Sequence, residues 1–294
     1  MSDTVLARAE IFLWSNARLL ERRLFAFHFH GGSREAVLGA LLAYQNSDGG
    51  FGNALEPDIR CPDSQPVPTQ HALEILDVIG PEPAVVARVC DYLERITTQE
   101  GGVPYLLPSA LAYPRAPWWH ATEPPTAELN PTGALIGLLQ KHGVEHPWVG
   151  RAAVFCWARL DAGLPTEMHE VGTALEFLYH TPERERAEAA LARLAAHMQG
   201  TGLIAPADAT GYVRKPLDWA PTPEHPLRRY MRPAEVEAHL DVLLAAQQAD
   251  GGWAITFPPT SPAAEQEWRG HLTLSTLLVL QANGRLGEAH TPQA

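Results

Sequence analysis

Lysine is almost missing from this chain: Lys141 and Lys215 are its only two, although Lys and Arg together number 22. Three cysteines, Cys61, Cys90 and Cys156, are scattered and include no Cys-x-x-Cys pair, so neither a disulfide framework nor a compact zinc site is expected. No apolar run approaches the ~18 residues a membrane span needs. The opening Met-Ser-Asp-Thr-Val-Leu-Ala-Arg lacks the basic-then-apolar order of a secretory signal, and the cytoplasm is the expected compartment. Basic surface is scarce, and a net charge of −12 weighs against a nucleic-acid partner. No alternating, β-branched run is long enough to suggest a sheet.

Helical periodicity, in contrast, is strong. It predicts helices near 3–28, 33–46, 69–79, 83–98, 131–142, 147–162, 168–180, 183–198, 233–248 and 269–283, an all-α fold of five to six hairpins in a single domain over 1–294. Short links such as Gly80-Pro81-Glu82-Pro83 alternate with long ones at 47–68, 99–130 and 199–232. Up-and-down helices place alternate links at the same end, so the long links are expected to share one rim. The segment at about 199–232 reads as irregular, standing where an inner helix is due. Thr69, Thr132, Thr173 and Thr273, with small neighbours, mark the first helix of each pair as the inner one.

A repeated element punctuates this pattern. Gln45-Asn-Ser-Asp48-Gly49-Gly50-Phe51 returns as Gln247-Gln-Ala-Asp250-Gly251-Gly252-Trp253, with a degenerate form at Gln99-Glu-Gly101-Gly102-Val. The glycines allow a sharp turn at positive φ, the Asp can accept from nearby N–H groups, and the Gln can tie the turn down. A repeat of roughly 50 residues buries its apolar faces only against its neighbours.

The Gln-x-x-Asp-Gly-Gly-Trp element and the paired-helix rhythm resemble the terpenoid cyclase and protein prenyltransferase superfamily. The stretch Gly52-Asn-Ala-Leu-Glu56-Pro-Asp58 resembles bacterial prenyltransferase-like proteins of uncharacterised activity. The resemblance implies an α/α-toroid around a central cavity and an isoprenoid or other apolar ligand. The chain departs from that family in lacking Asp-x-Asp-Asp and Asp-Asp-x-x-Asp, and Asp58 or Asp63 with Cys61 and His71 does not reproduce the prenyltransferase zinc spacing. Neither a metal nor a cofactor is expected.

Candidate chemistry gathers in the long links. Glu56 and Asp58 flank a rigid Pro57 beside Arg60, which suits either a general acid or an Arg–carboxylate clamp that pins the loop. Trp118, Trp119, His120 and Glu123 could line a cavity, with His120 moving protons, or could simply lid the core. Asp218, Trp219, Arg228, Arg229 and Tyr230 lie in the irregular segment, where Arg228 and Arg229 could clasp an anionic headgroup or merely form surface ion pairs. His71, His169 and His271 fall near inner-helix starts. A carbohydrate-active α/α-barrel, with Trp118, Trp119 and Trp219 as stacking platforms, and a non-catalytic repeat scaffold are the competing readings.

Overall fold

A computed structural model describes residues 4–286. It is all-α: α1 Val5–Asn16, α2 Leu19–Phe29, α3 Arg34–Leu42, α4 Pro66–Ile79, α5 Pro83–Ile96, α6 Leu129–Lys141, α7 Pro147–Ala162, α8 Met168–His180, α9 Arg184–Gly200, α10 Pro216–Trp219, α11 Pro233–Ala245 and α12 Pro262–Ala282. Among the described residues β-structure is limited to isolated bridges. Pro stands at the first turn of α4, α5, α7, α10, α11 and α12, where its missing N–H would have no helical partner anyway.

Helices α3 and α11 stop four and three residues short of expectation and α4 starts three residues early, but the largest differences are at two places. The stretch 3–28, read as one helix, is broken at Ala17 and Arg18, both extended, with ψ 157° and 161°; residue 3 lies outside the described residues. Helix α12 begins seven residues before the expected Arg269, with Ser261 capping it by accepting from Ala264 N. The irregular segment 199–232 contains the four-residue α10 and a 3-10 turn over Pro226–Tyr230.

The described chain forms two compact units, one of residues 34–200 and one of 4–33 with 201–286. In the first, α4 packs on α6 and α6 on α8, while α5, α7 and α9 pair with them one by one. Residues 131–139 of α6 are all buried, since α4, α7 and α8 all pack on it. Gly133 and Gly137 make its contact with α8 possible: a Cβ on Gly137 would stand 2.5 Å from Glu176 O, and one on Gly133 2.6 Å from Thr173 O. In the second unit α1 packs on α2 and α12, α12 on α2, and α10 on α11.

The Gly-Gly turns share one geometry. Asn46, Thr98 and Gln248 donate their N–H to Gly50, Gly102 and Gly252 carbonyls at 2.9, 2.9 and 2.8 Å. The residue after each glycine pair, Phe51, Val103 or Trp253, donates to the hydroxyl of Thr69, Thr132 or Thr273 at 3.0–3.1 Å. Asp48 and Asp250 accept from Gly50 and Gly252 N, and Gln45 and Gln247 donate to Gly49 and Gly251 O. Each second glycine lies on an aromatic ring of a neighbouring helix: Tyr92 of α5, Phe155 of α7 and Phe12 of α1. In the first two that helix follows, in sequence, the one that carries the threonine. In the last it is the first helix of the chain.

The Gly137→Ala variant should lose about 1–3 kcal/mol or more of stability, the usual range for an overpacked contact against unyielding backbone. Urea unfolding of the variant beside wild type measures it; an unchanged midpoint would contradict the close α6–α8 approach.

Candidate functional site

Local folding brings two of the sequence-selected segments together inside the 34–200 unit. The loop from Gly52 to Pro62 closes on itself: Gly52 N donates to Tyr44 O, Asn53 N to Pro62 O, and Asn46 Nδ2 also to Pro62 O. Asn53 and Ala54 adopt left-handed φ of 55° and 59°, uncommon for alanine, and turn the chain so that Glu56 faces α4. The loop is then docked on the 105–121 segment. Arg60 N donates to Pro114 O and Ala116 N to Asp58 O, both at 3.0 Å. Ile59 and Trp119 share a buried cluster with Val67, Leu106 and Ala116. Gln65, fully buried at the start of α4, completes the joint by accepting from Leu107 N and donating to Ser109 Oγ, each at 2.9 Å.

At the centre lies a chain of three ionisable groups. Glu56, 2% exposed, accepts from Asp58 N through Oε1, and its Oε2 is 2.8 Å from His71 Nε2. The other ring nitrogen of His71 is 2.9 Å from Glu74 Oε2, one turn along α4, and Gln70 holds the second Glu74 oxygen at 2.8 Å. The Glu74 side chain is 44% exposed, so the chain runs from a buried carboxylate through one imidazole to a solvated carboxylate. Burial alone would lower the His71 pKa, but the Glu74 charge and the hydrogen bonds to Glu56 and Glu74 outweigh it and lift it to about 10. His71 is therefore an imidazolium at neutral pH, donating from both nitrogens.

Arg60 Nη1 donates to Pro57 O at 3.3 Å, and His71 takes Glu56 Oε2. Asp58 is buried at 2% exposure. Trp119 is 7% exposed and stacked on Tyr105 at 4.6 Å, with its indole Nε1 buried and unpartnered. Trp118 is 38% exposed. His120 is exposed, with Nδ1 3.0 Å from Trp118 O and its ring 5.8 Å from Tyr105. Glu123 is exposed too. Burial pushes the Glu128 carboxyl pKa up, opposed in part by His120.

The remaining candidates belong to the other unit. Asp218 caps α10 by accepting from Lys215 N at 2.7 Å, and buried Trp219 donates to Leu203 O at 3.0 Å. Arg228 spends its guanidinium on Ala220 O and Asn283 Oδ1, and burial lowers its pKa. Arg229 lies over the Tyr230 ring at 4.9 Å. His271 meets Trp268, which continues edge to face through Phe257 to Tyr212. The sequence singled out Glu56 and put His71 near a helix start, but gave no sign of Tyr105. For Glu74 the available signal was its i, i+3 spacing from His71 on one helix face.

These features define an all-α helical repeat protein with a carboxylate–imidazole–carboxylate chain in one unit. No family model matches the chain, and no curated protein matches it. Among solved structures, a protein from Actinoplanes is similar to it, with 19% sequence identity, a TM-score of 0.55, and coverage of 96% of this chain and 90% of that one. Likeness at that identity is likeness of fold.

Unfolded His71 titrates near ~6.5. Its folded pKa of about 10 is higher, so its stabilising contribution is complete below about pH 6.5 and disappears as pH rises through 10. The stability gap between wild type and His71→Gln should be widest near pH 6 and close above pH 10. Urea titrations at both pH values, with imidazole NMR, check the sign; a gap that widens with pH would refute the ion-pair chain.

Proposed function

We propose that this protein binds an isoprenoid, or another apolar-to-amphipathic small molecule, and performs acid-assisted chemistry on it, with Glu56 as proton donor. The observation that carries this reading is the Glu56–His71–Glu74 chain. The resting pair is ionised, so the acid forms only when a bound ligand drives a proton from His71 Nε2 to Glu56 Oε2, an uphill step that leaves a neutral carboxylic acid beside a neutral imidazole. After Glu56 gives that proton to a ligand double bond, the cationic ligand later loses a proton or captures water. The chain is recharged from solvent along Glu74 and His71. Aromatic faces at Tyr105, Trp118 and Trp119 suit a ligand whose positive charge is transient, since ring faces attract cations. The resemblance of the Gln-x-x-Asp-Gly-Gly-Trp repeat to terpenoid cyclases and prenyltransferases points to the same ligand class. Asp58, two residues on and equally buried, is the alternative acid. His120 would serve at the exposed margin.

A carbohydrate ligand is the second reading, favoured by the exposed Trp118 indole, a face on which a sugar ring can stack. Incubation with prenyl diphosphates, prenyl alcohols, a linear polyprene and a panel of oligosaccharides, followed by product extraction and thermal-shift measurement, separates the two. The expected result is a thermal shift and conversion with an isoprenoid. Glu56→Gln should retain the shift and lose at least about 100-fold in turnover, the usual scale for general acid catalysis. Unchanged isoprenoids with no shift would sink the proposal, and cleaved or shifted oligosaccharides would replace it with the carbohydrate reading.

A further inference from the structure

The first helix completes the last repeat. Helix α1 holds the 247–253 turn as α5 holds the 45–51 turn. Arg8 bonds to Gln247 as Arg88 does to Gln45, and Phe12 underlies Gly252 as Tyr92 underlies Gly50. The Arg8 carbonyl stands where a Cβ on Gly251 would lie, matching Arg88 and Gly49. Gln247 Nε2 donates to Val5 O at 2.8 Å, and Arg269, held by Asp250, covers the Phe12 ring at 4.6 Å. This seat is specific to α1, and it is built by residues 239 positions away along the chain.

The link joining α1 to the rest is conditional. Residues 15–18, Ser-Asn-Ala-Arg, contain neither Gly nor Pro, and helical periodicity runs straight through them. The break depends on side chains: Asn16 Nδ2 donates to Phe12 O at 3.1 Å, Arg22 Nε to Ala17 O at 2.7 Å, and Arg18 pairs with buried Glu21. Around it three large apolar side chains stay in water: Ile11 at 56%, Trp14 at 41% and Leu19 at 57% exposure. In one continuous helix these would fall within an arc of about 140°, at 100° per residue, forming a single apolar stripe.

We propose that α1 and α2 can straighten into one helix and that α1 then seats in the 247–253 turn of a second copy of this chain, giving an exchanged dimer. The occupant is fixed by the seat itself, since every contact α1 makes with its own last repeat is reproduced in the partner. The stripe of Ile11, Trp14 and Leu19 supplies the new contact between the straightened helices. Exchange requires α1 to leave its seat, so the dimer forms on refolding at high protein concentration and persists on dilution.

Two substitutions push the link in opposite directions. Asn16→Ala removes the bond to Phe12 O and raises helix propensity. Arg18→Pro fits the broken form, with φ of −62° at Arg18 after extended Ala17, and forbids the continuous helix. The full chain is refolded from urea across a concentration series and read by light scattering after size exclusion, with mass-labelled and unlabelled chains mixed to detect exchange. Several-fold more dimer in Asn16→Ala than in wild type, none in Arg18→Pro, and equal hydrogen-exchange protection of α1 in monomer and dimer would establish the exchange. Identical oligomer distributions in all three, or a dimer whose α1 amides are unprotected, would overturn it. Should Arg18→Pro fail to fold, Asn16→Gly takes its place, with less dimer than Asn16→Ala as the expected result. None of these residues belongs to the Glu56–His71–Glu74 chain, so the outcome is independent of the activity proposed for it.

Discussion

Three hydrogen bonds from backbone to threonine organise this protein. Phe51, Val103 and Trp253 each donate to a Thr hydroxyl of the following long helix, in the first turn of α4 and α6 and in the middle of α12. Each bond forms only if the preceding glycines let the turn sit directly against an outer helix, with backbone or ring atoms where a Cβ would be. Turn, inner helix and outer helix are thereby locked as one unit, and the long link between turn and inner helix can vary without disturbing them. The candidate site grows from such a link: Glu56 stands in the 52–62 loop between Phe51 and the Thr69 that receives its N–H.

Arginine performs a second, recurring task. Arg34 donates to the carbonyls of Ile79, Gly80 and Pro81; Arg115 to those of Leu111, Tyr113 and Trp119; Arg184 to those of Leu178, Tyr179 and Thr181. A planar fork with five donors satisfies several carbonyls left open at helix ends and loop crossings, which an ammonium group on a flexible stem does less well. Arg228, chosen from the sequence as an anion ligand, has the same employment at Ala220 O. Other cations pair with carboxylates, as Arg151, Arg186 and Arg285 do, and the ionisable chain at Glu56 is built from carboxylates around a single histidine.

The all-α fold, most helix boundaries and the roles of Gln45, Asp48, Gln247 and Asp250 were legible from sequence, because period, proline and glycine pairs report local geometry directly. The break at Ala17–Arg18 was not, since it depends on Asn16, Arg22 and the Arg18–Glu21 pair rather than on a breaker residue. At the site, Glu56 stood out for its rigid neighbours, but its partner did not. Left-handed Asn53 and Ala54 turn the carboxylate toward His71, which no spacing in the sequence announces. That turn is a tertiary outcome, set by where Pro62 receives Asn46 and Asn53. Tyr105 likewise becomes meaningful only when its loop folds onto Trp119.

The pairing of α1 with the 247–253 turn also sets a timetable for biosynthesis. At roughly 5–20 residues per second, a nascent chain carries the first helix for some tens of seconds before its seat emerges from the ribosome. Throughout that interval the Phe12 face has no native cover. A messenger truncated anywhere before the 247–253 turn would release a product with that face open, which chaperones and proteases that survey exposed apolar surface could recognise.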